Sequence, residues 1–378
     1  MNKRQYAVPL LGLVAASLLA LACNNDYGIY ASIQEEPAGA SSGPFYRSSV
    51  FEITSFNLSL FARRSTIAKM TGGSWSTLPV ADLGKDYSCI GLANVADTTL
   101  YAAIYGKGLY SSTDGSNWSC LVEDASIDSI VAANGKLFLS DHNEMGTPTV
   151  TTDDQWTLHA VTGGVKSAAL AGLPLGSPLA GLVHDGSVYW AIAGSTLYSA
   201  ASEAGPFTAC VEAGAPSGAF SCISSSATAG VIYVGGATGT VYRRSGAASW
   251  ISATASSSSY PVEAIREIPG ATASILLVGF GSTTAGGGGY LEANPLDLVI
   301  LKDRHTSTTA VYATTPATNY DTTMSGRPVN DFTYIQAGTG GKLYASLATA
   351  GITGASGLYS VEFDGTASAW SSLGWQAQ

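Results

Sequence analysis

Charge is what this chain has least of. Asp, Glu, Lys and Arg together make up 12% of its 378 residues, and acids outnumber Lys and Arg by 27 to 17, for a formal net charge of -10. A surface of that sign repels phosphate backbones, so nucleic acid is not an expected partner. Histidine is nearly absent, at four residues. No His-Glu-x-x-His or Cys-x-x-Cys spacing occurs, so no metal or cofactor is expected. Strong helix formers are scarce, which argues against a helical domain. Long apolar runs are limited to one, from Ala7 to Ala22, too short for a spanning helix. What is abundant is glycine, at 44 residues, and tyrosine, at 19, within a composition that is 46% hydrophobic. Such a chain is too apolar to be disordered and suits sheets packed on both faces.

Residues 98 to 122, TTLYAAIYGKGLYSSTDGSNWSCLV, spell out one unit of an all-β architecture. A strand ends at Gly106-Lys107-Gly108, a second follows, Asp114-Gly115 makes a tight turn, and a third strand opens on Trp118. The same order recurs in stretches ending at Trp75, Trp156, Phe207, Trp250 and Trp370. Up to Trp250 the intervals are about 40 to 50 residues, the size of a propeller blade. The wider gap before Trp370 holds one diverged unit, with strands in VEAIREI, SILLVGF, GGYLEAN and LDLVILK. A unit of this kind cannot bury two apolar faces alone, so units stack radially. The predicted fold is a single β-propeller over residues 46–378, with seven four-stranded blades and eight as the alternative.

The N-terminus carries Lys3 and Arg4, the apolar run, and then Cys23, the layout of a secretory signal over residues 1–22. Leu19-Ala20-Leu21-Ala22-Cys23 resembles the lipobox of bacterial lipoproteins, in the relaxed form found in spirochaetes. The resemblance implies a diacylated Cys23 as mature N-terminus, a membrane anchor, and a location at the periplasmic face or the outer membrane. Loss of residues 1–22 removes two bases and no acid, which takes the net charge from -10 to -12. Residues 23–45, with PAGASSGP, read as a tether. Within it, Gly39-Ala40-Ser41-Ser42-Gly43 spells a nucleophile motif, but in a linker rather than at a strand-to-helix elbow.

Ser112-Thr113-Asp114-Gly115-Ser116-Asn117-Trp118 resembles the Asp-box repeat of sialidase-like propellers. That resemblance implies a hairpin braced by Ser and Asp and a Trp packed between blades. VIYVGGATGTVYRRSGAASW, residues 231–250, resembles the quinoprotein-type propeller repeat. Both imply a fold and neither an activity. A sialidase would need three converging arginines, drawn here from Arg47, Arg266, Arg304 and Arg327 and one member of each of the pairs Arg63/Arg64 and Arg243/Arg244. A sialidase-like glycoside hydrolase of the cell envelope is therefore the alternative to the main expectation, a non-enzymatic binding module that acts as an assembly partner or adhesin toward protein or glycan.

Cys210 ends one predicted blade and Cys222 opens the next, a candidate disulfide across the crossing, with free thiols as the alternative. Cys89 and Cys120 fall on the inner and outer strands of one blade, beyond disulfide reach. Recognition residues are expected on the face that carries the loops between second and third strands. Those loops hold Lys107, the cluster Asp141, His142, Asn143, Glu144 and Met145, Gly286 to Gly289, and residues 348–357.

Overall fold

Stretches such as ILLVGF and IYVGG are apolar at every position, the pattern of a strand covered on both faces rather than one. Ile275–Phe280, Ile232–Gly236 and Tyr189–Ala193 are buried throughout their length, and each is the second strand of a four-stranded antiparallel sheet. The computed structural model describes residues 52–377 apart from 81, 146–152, 247, 255–259, 271–273, 282–288, 304–327, 338–339, 348–356 and 364–374. Over those residues the chain forms seven such sheets and no helix. It is a seven-bladed β-propeller.

Blade 1 runs from Glu52 to Thr77, blade 2 from Cys89 to Glu123, blade 3 from Ile127 to Lys166, and blade 4 from Leu179 to Ala209. Blade 5 runs from Phe220 to Thr254, blade 6 from Val262 to Asp303, and blade 7 from Val329 to Ala377. In each, four consecutive strands pair in chain order from the axis outward. The diverged sixth blade has its strands where the four quoted stretches put them: Val262–Ile268, Ile275–Phe280, Gly289–Ala293 and Ile300–Asp303. First strands of successive blades touch all the way round, and that of blade 7 touches that of blade 1.

Closure uses no exchanged strand, because every sheet is built from one continuous segment. The two ends of the ring meet through side chains instead. Ile53 N–H donates to Asp331 Oδ2 at 3.2 Å, and Thr333 Oγ1 donates to the Ile53 carbonyl at 2.8 Å. Ile53, Leu60 and Ala62 of blade 1 then pack with Tyr344 and Leu358 of blade 7.

Aromatic residues at the entry to fourth strands cover the interface with the preceding blade. Trp75 packs toward blade 7, Trp118 toward blade 1, Phe207 toward blade 3 and Trp250 toward blade 4. Trp118 and Phe207 are fully buried, whereas Trp75 and Trp250 are half-buried. Beside Trp118, Asp114 accepts from the Asn117 and Ser116 amides, the Asn117 side chain and the Ser112 hydroxyl, and these donors hold its carboxyl well below the usual range. Gly115 completes the turn at φ +69°, where a Cβ would strike the Phe61 ring.

One of the expected aromatics is not tested and another needs correction. Trp370 lies outside the described residues; Trp375, directly before the last strand of blade 7 and 5% exposed, packs on Phe332 and Tyr290. Trp156 is on the third strand of blade 3, Gln155–Thr162, not at the entry to the fourth. The Gly163-Gly164 pair, both residues at positive φ, makes the hairpin eight residues further on, and blade 3 opens its fourth strand with Val165 and Lys166.

The closing seam generates a pH test. Burial raises the Asp331 pKa to about 7, with Arg266 opposing and Glu52 adding to the shift. Since the unfolded value is about 4, the fold holds the extra proton between these limits, and stability falls as pH rises through that window. Asp331→Asn keeps an acceptor for Ile53 and cannot ionise. Its melting temperature should therefore drop less than that of the wild type between pH 5 and pH 8, measured by differential scanning calorimetry; identical slopes would contradict the assignment.

Candidate functional site

Strand register fixes which loops share a face. In blade 2 the start of the first strand pairs with the end of the second, Cys89 with Ile104, and in blade 3 Ile127 pairs with Asp141. The blade-to-blade crossings and the loops between second and third strands therefore emerge together, as expected. The same register carries a feature that sequence reading missed. In blades 2 to 7 the second residue of the first strand is skipped by the ladder, a bulge repeated at Ile90, Asp128, Ala180, Ser221, Glu263 and Asn330. A bulge leaves one residue unpaired and re-aims its side chain, so this face has a ring of six variable positions around the axis. Because the six residue types share nothing, no sequence pattern announces it.

One part of that face is concave. A cavity of about 680 Å³ opens between blades 2 and 3, walled by Ile90 and Tyr105 on one side and by Asp128, Asp141, His142, Asn143, Glu144, Gln155 and Thr157 on the other. Asp141, His142 and Asn143 are not in a loop, which corrects the expectation. The second strand, Lys136–Asn143, continues through them by pairing Asp141 with Thr157, His142 with Trp156 and Asn143 with Gln155. Glu144 and Met145 begin the loop. Lys107 sits in the neighbouring turn of blade 2, exposed and not part of the lining.

Behind Asp141 lies a charged network. Lys166 Nζ donates to both Asp124 Oδ2 and Asp141 Oδ2. Burial works against the ammonium charge, but the hydrogen bonds to Asp124 and Asp141 outweigh it and raise the Lys166 pKa. The Asp124 carboxyl also resists burial, since Lys166 and Ser126 hold its pKa below the usual value. His159 Nε2 lies 3.2 Å from Asp141 Oδ2 and 3.0 Å from Thr157 Oγ1, while its Nδ1 meets the Ser167 carbonyl at 2.9 Å. Both imidazole nitrogens are thus engaged inside the blade. His142 stacks on Trp156 with ring centroids 4.6 Å apart and has Nε2 3.1 Å from Asp154 Oδ2. Asp128, on the bulge, has its pKa raised by desolvation despite the opposing influence of His142.

Other expected site residues are dispersed. Cys210 packs between blades 4 and 5 and Cys222 between blades 5 and 6, and both are free thiols, so the expected disulfide between them is not formed. The side chains were assigned to one crossing from their separation in sequence, but they point into different interblade clusters. Cys89 and Cys120 are free as well. Arg63 pairs with Glu52 at 2.9 Å, Arg244 with Glu212 at 2.6 Å over the face of Trp190, and Arg266 donates to the Phe332 carbonyl. Cys23, Arg47, Arg304, Arg327, Gly286 to Gly288 and residues 348–356 lie outside the described residues. No group of three His, Cys, Asp or Glu side chains among the described residues is arranged to hold a metal, and no helix among them is long and apolar enough to cross a membrane.

No family model matches the chain, and no curated protein does. Solved structures share its fold at low identity. The extracellular domain of a putative one-component system from B. thetaiotaomicron aligns with a TM-score of 0.55 at 10% identity, over 84% of this chain and 38% of that one. The chain therefore spans well under half the length of that protein. The WD40 propeller domain of Doa1 gives 0.52 at 8% identity over 86% and 96% of the two chains, and a streptogramin B lyase gives 0.52 at 13% over 81% and 92%. These likenesses establish the propeller and nothing finer.

The network makes a stability prediction. Lys166→Met would leave two carboxylates facing each other without their cation, at a cost of about 3 kcal/mol, the lower end for breaking a largely buried pair. Adding Asp141→Asn should restore most of that loss in urea unfolding. A single variant as stable as the wild type would show that the network is only a surface feature.

Proposed function

We propose that the protein is an exported, lipid-anchored and non-enzymatic binding propeller, and that its recognition surface is the face of crossings and second-to-third-strand loops. One observation carries the reading: the interface between blades 2 and 3 departs from the repeat. An aromatic at the entry to the fourth strand covers the junction with the previous blade in blades 1, 2, 4, 5 and 7, and buried Leu298 does so in blade 6, whereas blade 3 offers Val165 and Lys166, and a polar cleft opens on the loop face of that same junction. Departures from a repeat that otherwise enforces good packing concentrate where function opposes stability.

The lipobox-like Cys23 supports attachment to a membrane, and one of the structures that share the fold is an extracellular domain, which agrees with a place outside the cytoplasm. The first described strand begins at Glu52 on the loop face, and residues 23–45 are read as the tether between anchor and disc. A tether of that length, if extended at about 3.3 Å per residue, would let either face turn away from a bilayer. Binding by a rigid scaffold through variable loops needs no catalytic constellation.

Cys23→Ser should move the protein from the membrane pellet to the soluble fraction with unchanged thermal unfolding, because the lipid lies outside the packed ring. The soluble mature chain should capture a partner from envelope or host-matrix extracts, and Asp128→Lys should abolish that capture. Retention of Cys23→Ser in carbonate-washed membranes would refute the anchor. Capture that survives Asp128→Lys but is lost on changing the Asp114 hairpin would refute the choice of face.

A further inference from the structure

A second, smaller cavity, of about 350 Å³, opens on the loop face close to the axis. Four blades supply its wall: Glu52 and Arg63 from blade 1, Ile90 from blade 2, Ser129 from blade 3, and Asn330 and Asp331 from blade 7. Ile90 also lines the cleft between blades 2 and 3, so the two spaces adjoin. Ile90 and Asn330 are bulge residues, skipped by the ladder and with side chains re-aimed by it.

The charges in this wall are already answered within the protein. Arg63 Nε donates to Glu52 Oε2 at 2.9 Å. Asp331 Oδ2 accepts from the Ile53 amide at 3.2 Å, and Arg266 is near enough to oppose the rise in the Asp331 pKa. A charged occupant would give up its water and meet no uncompensated partner, which is costly. What the wall leaves open is hydrogen-bonding capacity of both kinds. The two Nη groups of Arg63, the Asn330 amide and the Ser129 hydroxyl have no hydrogen-bond partner among the described residues. Arg63 offers donors only, Asn330 one acceptor oxygen and a donor nitrogen, and Ser129 either role. Arg63 and Asn330 are planar, with two polar atoms side by side, a geometry that meets two neighbouring hydroxyls at once. Ile90 sets an apolar surface beside them.

We infer that this cavity holds an uncharged sugar ring. The inference rests on the proposed recognition face and names the chemistry that one part of it reads. A sugar ring carries hydroxyls that both donate and accept, has no charge to be compensated, and turns a face of C–H groups toward Ile90. Ligand pockets run from about 300 to 1,000 Å³, and one at the low end takes a single ring rather than a chain. A glycan therefore enters by its terminal unit.

The test is binding of the full mature chain to a glycan array that carries neutral, sialylated and amine-bearing terminal sugars, together with saturation-transfer NMR on free glucose, galactose, mannose and N-acetylglucosamine. Neutral termini should bind at least tenfold more strongly than charged ones, with little change as salt is raised, because no ion pair forms with the ligand. Asn330→Ala and Ser129→Ala should each weaken binding about tenfold, the worth of one hydrogen bond, at an unchanged melting temperature, since neither side chain bonds within the fold. Binding of a free monosaccharide without any array signal would keep the chemistry and make the source a free sugar. Tighter binding of sialylated or amine-bearing termini, full affinity in Asn330→Ala, or no binding of any sugar would overturn the proposal. If no sugar binds while extract capture is still lost on Asp128→Lys, the sugar chemistry falls and the recognition face stands; if capture ignores Asp128, the face falls with it.

Discussion

Every other feature of this molecule depends on a junction that no strand crosses. Seven sheets, each made from one continuous stretch of chain, form a ring only if the first and last hold together through side chains. The clamp on Ile53 supplies that hold: Asp331 takes its N–H and Thr333 donates to its carbonyl, with Leu60, Tyr344 and Leu358 packed behind. The cost of bringing together residues separated by nearly the whole chain is met once, and the six remaining junctions form between sequence neighbours. An acid placed at this seam, and desolvated there, makes the most demanding junction of the ring sensitive to proton concentration.

Between seam and surface, the aromatics at the fourth-strand entries do the repetitive packing. Trp118 shows how the parts combine. The Asp114 turn, braced by four donors, aims the chain so that the indole enters the hydrophobic cluster shared with Phe56 and Phe61 of blade 1. Blade 6 uses Leu298 in that place, and blade 3 has no large apolar residue there. Its contact with blade 2 relies on smaller groups, among them Ala93, Ala103, Leu109, Ile130 and Leu139, and on Lys166 bridging Asp124 and Asp141. On the loop face of that junction lies a polar cleft.

The repeat itself was legible from Leu-Tyr strands, Asp-Gly and Gly-rich turns and spaced aromatics, because each of these signals is local and has a steric cause. That extended even to blade 6, whose four strands could be found from apolar runs alone. Trp156 misled because an aromatic after an Asp pair looks the same at the start of a third strand as at the start of a fourth; only the Gly163-Gly164 hairpin, eight residues later, distinguishes them. The cleft was half legible. Asp141, His142 and Glu144 stood out as a polar cluster, but their partners Asp124, His159 and Lys166 come from other strands, and pairing register is not written in any short segment. Asp128 gave no signal at all, since a bulge is set by the ladder around it. The cysteine pairing failed for the same reason: proximity in sequence says little about which interblade cluster a side chain enters.

The account turns on blades 2 and 3 as the place where this propeller meets its partner, and hydrogen–deuterium exchange of the mature chain with and without a captured partner tests it most directly. Bound partner should slow exchange at residues 104–107 and 123–145 and leave the Asp114 to Asn117 hairpin unchanged. Protection confined to that hairpin and its counterparts on the opposite face would contradict it.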